Sequence, residues 1–169
     1  MATLIGNGSH ARDILISDEV VGLQIPHHSE WDMVKDRTHS VIIGINDPWK
    51  RDEVAKILGI DDRDWIHPHA WFGQGCDWGP GTHINYGVTM TRTTIGHHVT
   101  VSPGVTICGD VIIGNRCLIG AGATICDRVT IGDDVTVGAG CVVLPESRVD
   151  SNATIIGVPA RYADGRPVK

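Results

Sequence analysis

Histidine is the side chain best suited to exchange a proton near neutral pH, and three histidines lie within sixteen positions of one another in the middle of this chain. They are His83, His97 and His98. A general base typically contributes about 10²–10⁴-fold to a reaction rate, so each is a candidate for that role. His97 and His98 also fit a simpler interpretation, as polar residues at exposed corners, and His83 is expected on the surface of an irregular early coil.

Arg92 lies between these histidines, and its guanidinium could orient a phosphate or a carboxylate. A solvated corner arginine is the competing interpretation. The five cysteines show no CxxC or Cys/His spacing typical of structural zinc, and no metal is expected. Cys108 and Cys126 lie eighteen residues apart and are predicted to stack at one corner, as free thiols rather than a disulfide.

A six-residue repeat positions these side chains and runs ten times from Ile95 to Thr154. Its first position is always Ile or Val. Its fifth position is small or β-branched: Val99, Val105, Val111, Cys117, Ala123, Val129, Val135, Cys141, Ser147 and Ala153. A unit this short cannot form a helical solenoid, whose repeats exceed thirty residues, and it favours a β-helix.

Three hexads make one triangular coil, so residue i is predicted to stack on residue i+18 at the ordinary strand spacing. First and fifth positions then face inward, while Gly and polar residues take the corners, where unusual backbone angles are needed. Such a prism has little internal cavity. Any chemistry is therefore expected on its outside, in a groove or between subunits.

The first sixty residues predict a different, α/β organisation. Apolar strands are expected at 2–5, 20–24 and 40–45, and a helix over about 48–58 with Asp47 as its N-cap and Pro48 at N1. The segment GNGSHARDI, at 6–14, matches a GxGxxG/A turn that lets a phosphate approach the backbone. The acidic residue that would hold a ribose after the second strand is missing, since Gln24 and Ile25 stand there, which argues against an NAD-dependent enzyme.

Composition narrows the classes of partner. The chain has 169 residues and a net charge of −6, which argues against nucleic acid. It has no run of basic residues for a membrane surface and no apolar stretch long enough to span a bilayer. We see no signal peptide and expect a cytoplasmic protein.

Motifs spread along nearly the whole chain resemble one family, and their order is more diagnostic than any one of them. They are GNGSHARDI (6–14), IGINDPWKR (43–51), WIHPHA (65–70), INYG (84–87), IGHHVTVSPG (95–104), CGDVIIG (108–114) and IIGVPAR (155–161). Together they are similar to the NeuD/PglD-like sugar O-/N-acyltransferases, the sialic acid O-acetyltransferase and bacillosamine acetyltransferase type.

The resemblance implies a truncated, Rossmann-like α/β half over residues 1–64, a left-handed parallel β-helix of hexapeptide repeats over 65–161, and a tail over 162–169. It also implies a homotrimer, with acetyl-CoA as acyl donor in the groove between neighbouring prisms and a sugar nucleotide held by the α/β half. Substrate would contact Gly6, Asn7, Gly8, His10 and Asn85. The cofactor would contact Gly109, Gly157 and Arg161, and the backbone NH of Gly109 would face the thioester carbonyl.

The chain departs from the family at the catalytic histidine. The corresponding stretch, INYGVTMTRTTIG (84–96), is one residue shorter than the family motif, and the histidine position is expected to fall on Thr91 or Arg92. A sugar hydroxyl is a poor nucleophile without a base, whereas a partly deprotonated amine needs mainly positioning and an oxyanion donor. We therefore predict acetyl transfer to the amino group of a nucleotide-linked amino sugar, or a base relocated to His97 or His98 and brought to Gly109 by a second subunit.

Other functions remain open at this point. The chain could be a sugar O-acetyltransferase, or an impaired member that binds CoA and sugar nucleotide as a scaffold. A γ-type carbonic anhydrase shares the β-helix, but it needs three zinc-binding histidines, two of them with four residues between them. Histidines at 83, 97 and 98 do not fit that spacing.

Overall fold

The structure, a computed structural model, describes residues 2–5, 20–23, 41–43, 45–59 and 64–168. The first three of these segments are strands β1 (Ala2–Ile5), β2 (Val20–Leu23) and β3 (Val41–Ile43), which form a parallel sheet in the order β2-β1-β3. The predicted strands are confirmed with slightly shorter bounds. The glycine turn predicted to follow β1 lies outside the described residues, and the three strands alone do not establish a Rossmann-like half.

Helix α1 (Pro48–Leu58) has the bounds predicted from the sequence. Asp47 caps its start by accepting hydrogen bonds from the backbone NH groups of Trp49 and Lys50, at 3.0 and 3.2 Å. Gly59 ends the helix in the left-handed conformation, with φ 60°. This is the usual role of glycine at a helix C-terminus, where a residue with a Cβ is strained.

Residues 65–155 form a parallel β-helix of the left-handed type with about five turns, as predicted. Its strands build three faces. The first face contains β4 (Trp65–Ile66), β7 (His83–Ile84), β10 (Thr100–Val101), β13 (Leu118–Ile119), β16 (Thr136–Val137) and β19 (Thr154–Ile156), with β20 (Arg161–Tyr162) antiparallel to β19. The second contains β5 (Trp71–Phe72), β8 (Thr89–Met90), β11 (Thr106–Ile107), β14 (Thr124–Ile125) and β17 (Val142–Val143). The third contains β6 (Asp77–Trp78), β9 (Thr93–Ile95), β12 (Val111–Ile113), β15 (Thr130–Ile131) and β18 (Arg148–Val149).

The core of the prism consists of the positions that the hexad pattern assigns to it. Every first position from Ile95 to Val149 is at most 4% exposed. The fifth positions are buried as well, except Ala153, which is partly buried near the end of the repeat. Cys117 and Cys141 are among the buried residues, and the five cysteines are free thiols.

The fourth hexad position forms the corners, and each of these residues has a positive φ. They are His98, Gly104, Asp110, Arg116, Gly122, Arg128, Asp134, Gly140, Glu146 and Asn152. Stacked corner residues from successive coils form three rows. We call them the glycine corner (Gly87, Gly104, Gly122, Gly140), the charged corner (Arg92, Asp110, Arg128, Glu146) and the helix corner (Gly81, His98, Arg116, Asp134, Asn152).

Ion pairs between stacked coils hold the non-glycine corners in this unusual conformation. Arg116 forms two hydrogen bonds to Asp134, at 2.6 and 2.8 Å, and Arg128 bonds Glu146 at 2.9 Å. Both pairs are eighteen residues apart, which is one full turn. A left-handed backbone is costly for residues with a Cβ, and the paired side chains help to offset that cost.

One repeat is a residue short, and the strand register shows where. Phe72 pairs with Met90 eighteen residues later, but Met90 pairs with Ile107 after only seventeen. The next strand pair, Thr93 with Val111, is again eighteen apart. The missing residue therefore lies between Met90 and Thr93, at the charged corner.

Arg51 fastens helix α1 to the β-helix. Its side chain is fully buried and donates to the carbonyl oxygens of Gly81 and Ile45 and to the hydroxyl of Thr100, at 2.9, 2.6 and 3.0 Å. The Thr100 hydroxyl in turn donates to the carbonyl of Asn46 at 2.9 Å. These bonds connect the segment 45–59 to the first face and the helix corner. In the parts of the chain described, no helix is both long and apolar enough to cross a membrane.

Replacing Arg51 with Met is expected to lower the free energy of unfolding by about 3–5 kcal/mol, because three acceptors lose a charged donor. Urea denaturation followed by circular dichroism measures this. Lys50→Met is the matched control, since Lys50 is the exposed neighbour on the same helix turn. Equal losses in the two variants would mean that Arg51 does not fasten the helix.

Candidate functional site

The charged corner contains Thr91 and Arg92, the two residues expected to replace the family histidine. Thr91 occupies the second hexad position, because its side chain lies where a Cβ on Gly73, one coil earlier, would stand. Arg92 occupies the fourth position, with φ 43°. The third hexad position is missing between them.

Arg92 uses the space that the missing residue leaves. Its guanidinium lies over Gly109 in the next coil, where any Cβ would collide with it. Arg92 Nε also donates to Asp110 Oδ1 at 2.9 Å, and the two side chains are 57% and 55% exposed. The absence of a side chain at Gly109 is therefore what allows a cation to lie at this corner.

The backbone NH of Gly109 donates to Asp127 Oδ1 at 3.0 Å. The same bond recurs between coils at the helix corner, where the NH groups of His97 and Asn115 donate to the side chains of Asn115 and Asp133 at 3.0 and 2.7 Å. At each of these three positions, the backbone NH is thus satisfied by a polar side chain eighteen residues later in the chain. Gly109 lies next to the side chain of Arg92, and its NH is engaged within the chain.

The protonation states of the side chains at the charged corner suit the stabilisation of negative charge better than general-base catalysis. The hydrogen bond to Asp110, together with the carboxylate charge, raises the pKa of Arg92 above its already high ordinary value. Burial, with the charge of Asp127 nearby, raises the pKa of the Cys108 thiol. A guanidinium that stays protonated cannot accept a proton, but it can stabilise a developing negative charge.

The helix corner brings His97 and His98 together with Asp52 from α1. The Nδ1 atoms of the two histidines are 3.0 Å apart, and His98 Nδ1 lies 3.6 Å from Asp52 Oδ1. The other oxygen of Asp52 accepts a bond from Lys56 at 2.7 Å and lies 4.0 Å from Arg116 Nε. This cluster is at a different corner from Arg92, so one prism keeps the two groups apart, as the hexad frame predicts.

His98 is neutral at neutral pH. Burial lowers its pKa to about 4; Asp52 opposes the shift, and the charges of Arg51, His97 and Lys56 add to it. Burial by itself would raise the pKa of Asp52, but the bond from Lys56 and the nearby charges bring it below its usual value. An uncharged imidazole therefore faces a charged carboxylate.

His83 and Asn85 are buried rather than exposed at the surface of the prism. His83 is fully buried, contrary to the surface position expected for it, and its ring meets the edge of Trp65 at 6.3 Å between centroids. Asn85 is 6% exposed, and its amide donates to the Val101 carbonyl at 3.0 Å. The neighbouring Tyr86 is 59% exposed and packs against His67 and His69, at 5.3 and 5.5 Å between ring centroids.

The remaining predicted contacts lie at the two ends of the chain. Gly157 has φ 93°, and Arg161 is an exposed residue of β20, just beyond the cis bond between Val158 and Pro159. Gly6, Asn7, Gly8 and His10 lie outside the described residues.

Sequence reasoning missed three carboxylates: Asp52, Asp110 and Asp127. Asp110 and Asp127 were detectable, because each lies eighteen residues from its partner, Arg92 or Gly109, and the repeat predicts that such residues stack. Asp52 had no comparable signal, since its approach to His98 depends on how α1 docks on the prism.

Comparison with known proteins identifies the repeat. The model of the bacterial transferase hexapeptide (six repeats) matches residues 92–127, and that of the hexapeptide repeat of succinyl-transferase matches residues 110–145. No curated protein matches the chain in sequence.

Three solved structures are similar over almost the full length. PerB from Caulobacter crescentus, in complex with CoA and GDP-perosamine, is 25% identical with a TM-score of 0.74, covering 95% of this chain and 96% of that one. A point mutant of perosamine N-acetyltransferase from Caulobacter crescentus, with the same two ligands, is 23% identical with a TM-score of 0.77, covering 95% of each chain. The acetyltransferase domain of PglB from Neisseria gonorrhoeae FA1090 is 20% identical with a TM-score of 0.70, covering 95% and 98%. The chain therefore contains the hexapeptide repeat of bacterial transferases and has the fold of these acetyltransferase structures, in line with the family resemblance of its motifs.

Proposed function

We propose that this protein transfers an acetyl group from acetyl-CoA to the amino group of a nucleotide-linked amino sugar. The observation that carries the proposal is the charged corner, where the guanidinium of Arg92 lies over Gly109. The similarity to PerB, which binds CoA and GDP-perosamine, supports both the donor and the class of acceptor.

In the proposed step, Arg92 donates to the thioester oxygen. The amine nitrogen attacks the carbonyl carbon, negative charge grows on the oxygen, and the carbon–sulfur bond then breaks. The nitrogen loses one proton and the departing CoA thiolate gains one. Gly109 contributes by leaving room for the guanidinium, since its own NH is bonded to Asp127.

The residue missing at the third hexad position leaves its space to Arg92, which cannot act as a base. This favours an amine over a hydroxyl as the acceptor. A hydroxyl must lose its proton as it attacks, and Arg92 cannot take that proton. A neutral amine attacks through its free lone pair, so positioning and carbonyl polarisation account for the catalysis. O-acetylation is thus the weaker alternative.

The nucleotide is assigned to the sheet of β1–β3. The order β2-β1-β3 places β1 at the centre, and the glycine-rich residues Gly6, Asn7, Gly8 and His10 directly follow its carboxyl end. Ligands of parallel sheets bind at such a point, where the strand order reverses. We assign the diphosphate to this turn and the sugar to the side of Asn85 and Tyr86.

Acetyl-CoA is assigned to a groove between neighbouring prisms of a homotrimer, with its nucleotide end near Gly157 and Arg161. Apolar side chains on the outer surface are consistent with side-by-side packing: Leu144 and Ile156 are 50% and 51% exposed. Light scattering of the purified protein is expected to give a mass of three chains. A monomer at micromolar concentration would contradict the shared groove.

The function is tested by measuring release of CoA thiol from acetyl-CoA with matched sugar nucleotides. GDP-perosamine is the amino acceptor, and the same sugar nucleotide with a hydroxyl in place of the amine is its control. We expect turnover with the amine alone. Equal turnover with the hydroxyl compound would contradict the amine assignment, and absence of turnover with retained CoA binding would identify an impaired scaffold instead.

A further inference from the structure

Three potential metal ligands converge where helix α1 meets the helix corner. They are Asp52 in the second turn of α1, and His97 and His98 at the corner between β9 and β10. One ligand atom from each lies within 4.8 Å of the others. The fold thus brings Asp52 of α1 next to two histidines of the β-helix that follow it by some forty-five residues.

The atoms that converge are two imidazole nitrogens and a carboxylate oxygen, each of which can bind a cation through a lone pair. His98 Nδ1 faces both His97 Nδ1, at 3.0 Å, and Asp52 Oδ1, at 3.6 Å. A single proton on that nitrogen cannot serve both neighbours in good geometry. A cation in contact with all three atoms would satisfy them together.

We propose that Asp52, His97 and His98 form a binding site for a divalent transition metal, with Zn²⁺ as the best-suited ion. Zinc binds imidazole nitrogen and carboxylate oxygen at about 2.0–2.2 Å in tetrahedral geometry, which places its ligand atoms about 3.3 Å apart. The separations of 3.0 and 3.6 Å bracket that value. Three protein ligands leave a fourth position for water.

The surroundings allow an ion to enter but limit its affinity. Asp52 and His98 are 6% and 9% exposed, and Asp52 lines an open cleft of about 650 Å³ together with Trp49 and Arg116 among others. Lys56 and Arg116 approach the other oxygen of Asp52, so Oδ1 remains for the metal. Because their positive charges oppose a second cation, we expect micromolar rather than nanomolar binding.

The site would connect α1 to the β-helix, in addition to the bonds of Arg51. A bound ion is therefore expected to stabilise the docked arrangement, because it binds only when helix and corner are in place. This consequence does not depend on acyl transfer, and it can be measured without a substrate.

The test uses the full chain without an affinity tag, freed of metal by chelation. Zn²⁺ titrated in a calorimeter is expected to bind at one ion per chain, and Co²⁺ to give the visible absorption of a tetrahedral site. His97→Ala and Asp52→Asn are expected to weaken binding by about 100-fold. The thermal midpoint of the wild type is expected to rise by several degrees with saturating Zn²⁺.

His69→Ala is the matched control, since His67 and His69 form the other close histidine pair in the described residues, with ring centroids 5.5 Å apart. Its affinity is expected to equal that of the wild type. The proposal is overturned if Zn²⁺ does not bind at one ion per chain in the micromolar range, if His97→Ala binds as tightly as the wild type, or if His69→Ala loses the ion.

Discussion

Val111→Asp is expected to yield no soluble folded protein, whereas Ile112→Asp is expected to yield folded protein at the wild-type level. The two residues are neighbours on β12, but Val111 is 1% exposed and Ile112 is 53% exposed. A carboxylate at position 111 would be buried in a purely apolar environment at a cost of several kcal/mol, comparable to the whole stability of a domain. At position 112 it would face water, where substitutions change stability by about 0.5 kcal/mol or less.

Soluble yield, gel filtration and circular dichroism compare the two variants. Val111→Ala keeps the experiment quantitative in case the Asp variant cannot be purified. It removes two buried methyl groups and is expected to lower the free energy of unfolding by about 1–3 kcal/mol. A folded Val111→Asp, or an Ile112→Asp variant that fails to fold, would mean that the assignment of inward and outward positions is wrong.

The core of the β-helix is predictable from the sequence because its pattern is local and repeated. First positions are Ile or Val and fifth positions are small or β-branched in the sequence, and all but Ala153 are buried in the structure. The corner conformation is less predictable, because residues such as Arg116 and Asp134 adopt a left-handed backbone that the sequence signals only where glycine stands. The charges eighteen residues apart were the available clue.

A comparison of motifs does not determine which position of the shortened repeat near Thr91 has been lost. The sequence reveals that one residue is missing near Thr91, but not which hexad position is lost. The strand register places the loss between Met90 and Thr93. The position of Thr91 against Gly73 and the positive φ of Arg92 then assign it to the third position, and Arg92 lies over Gly109 as a result. Likewise, the bounds of α1 follow from local capping, whereas its docking through Arg51 depends on residues fifty positions away.

His83 was predicted on the surface of an irregular early coil, and the structure instead places it on strand β7. An outward-facing strand position is normally exposed. On the first face, however, the neighbouring Thr100 is covered by the segment 45–59, through Arg51 and Asn46. The docking of segment 45–59 thus buries His83, a position that would be exposed if the repeat alone determined its surroundings.

Arg92→Ala is expected to lower kcat for the amino sugar by about 10²–10³-fold, with little change in KM, if its guanidinium stabilises charge only in the transition state. Steady-state assay of CoA release measures both constants. Arg128→Ala is the matched control. Arg128 occupies the same corner row two coils on and pairs with Glu146 in the way that Arg92 pairs with Asp110, but it is not over Gly109. Equal losses in the two variants would mean that Arg92 has only a structural role.

Inserting a histidine between Thr91 and Arg92 restores the eighteen-residue spacing and tests the same idea in the opposite direction. In the wild type, the charged corner contains Arg92, whose pKa is raised, and no histidine. The value of kcat/KM is therefore expected to follow only the ionisation of the acceptor amine. The insertion is expected to add a second ionisation near pH 6.5, with activity rising as the new imidazole loses its proton. It is also expected to allow detectable transfer to the matched hydroxy sugar. A wild-type profile that already contains this ionisation would place the base elsewhere, with the histidines of the helix corner as the first residues to substitute.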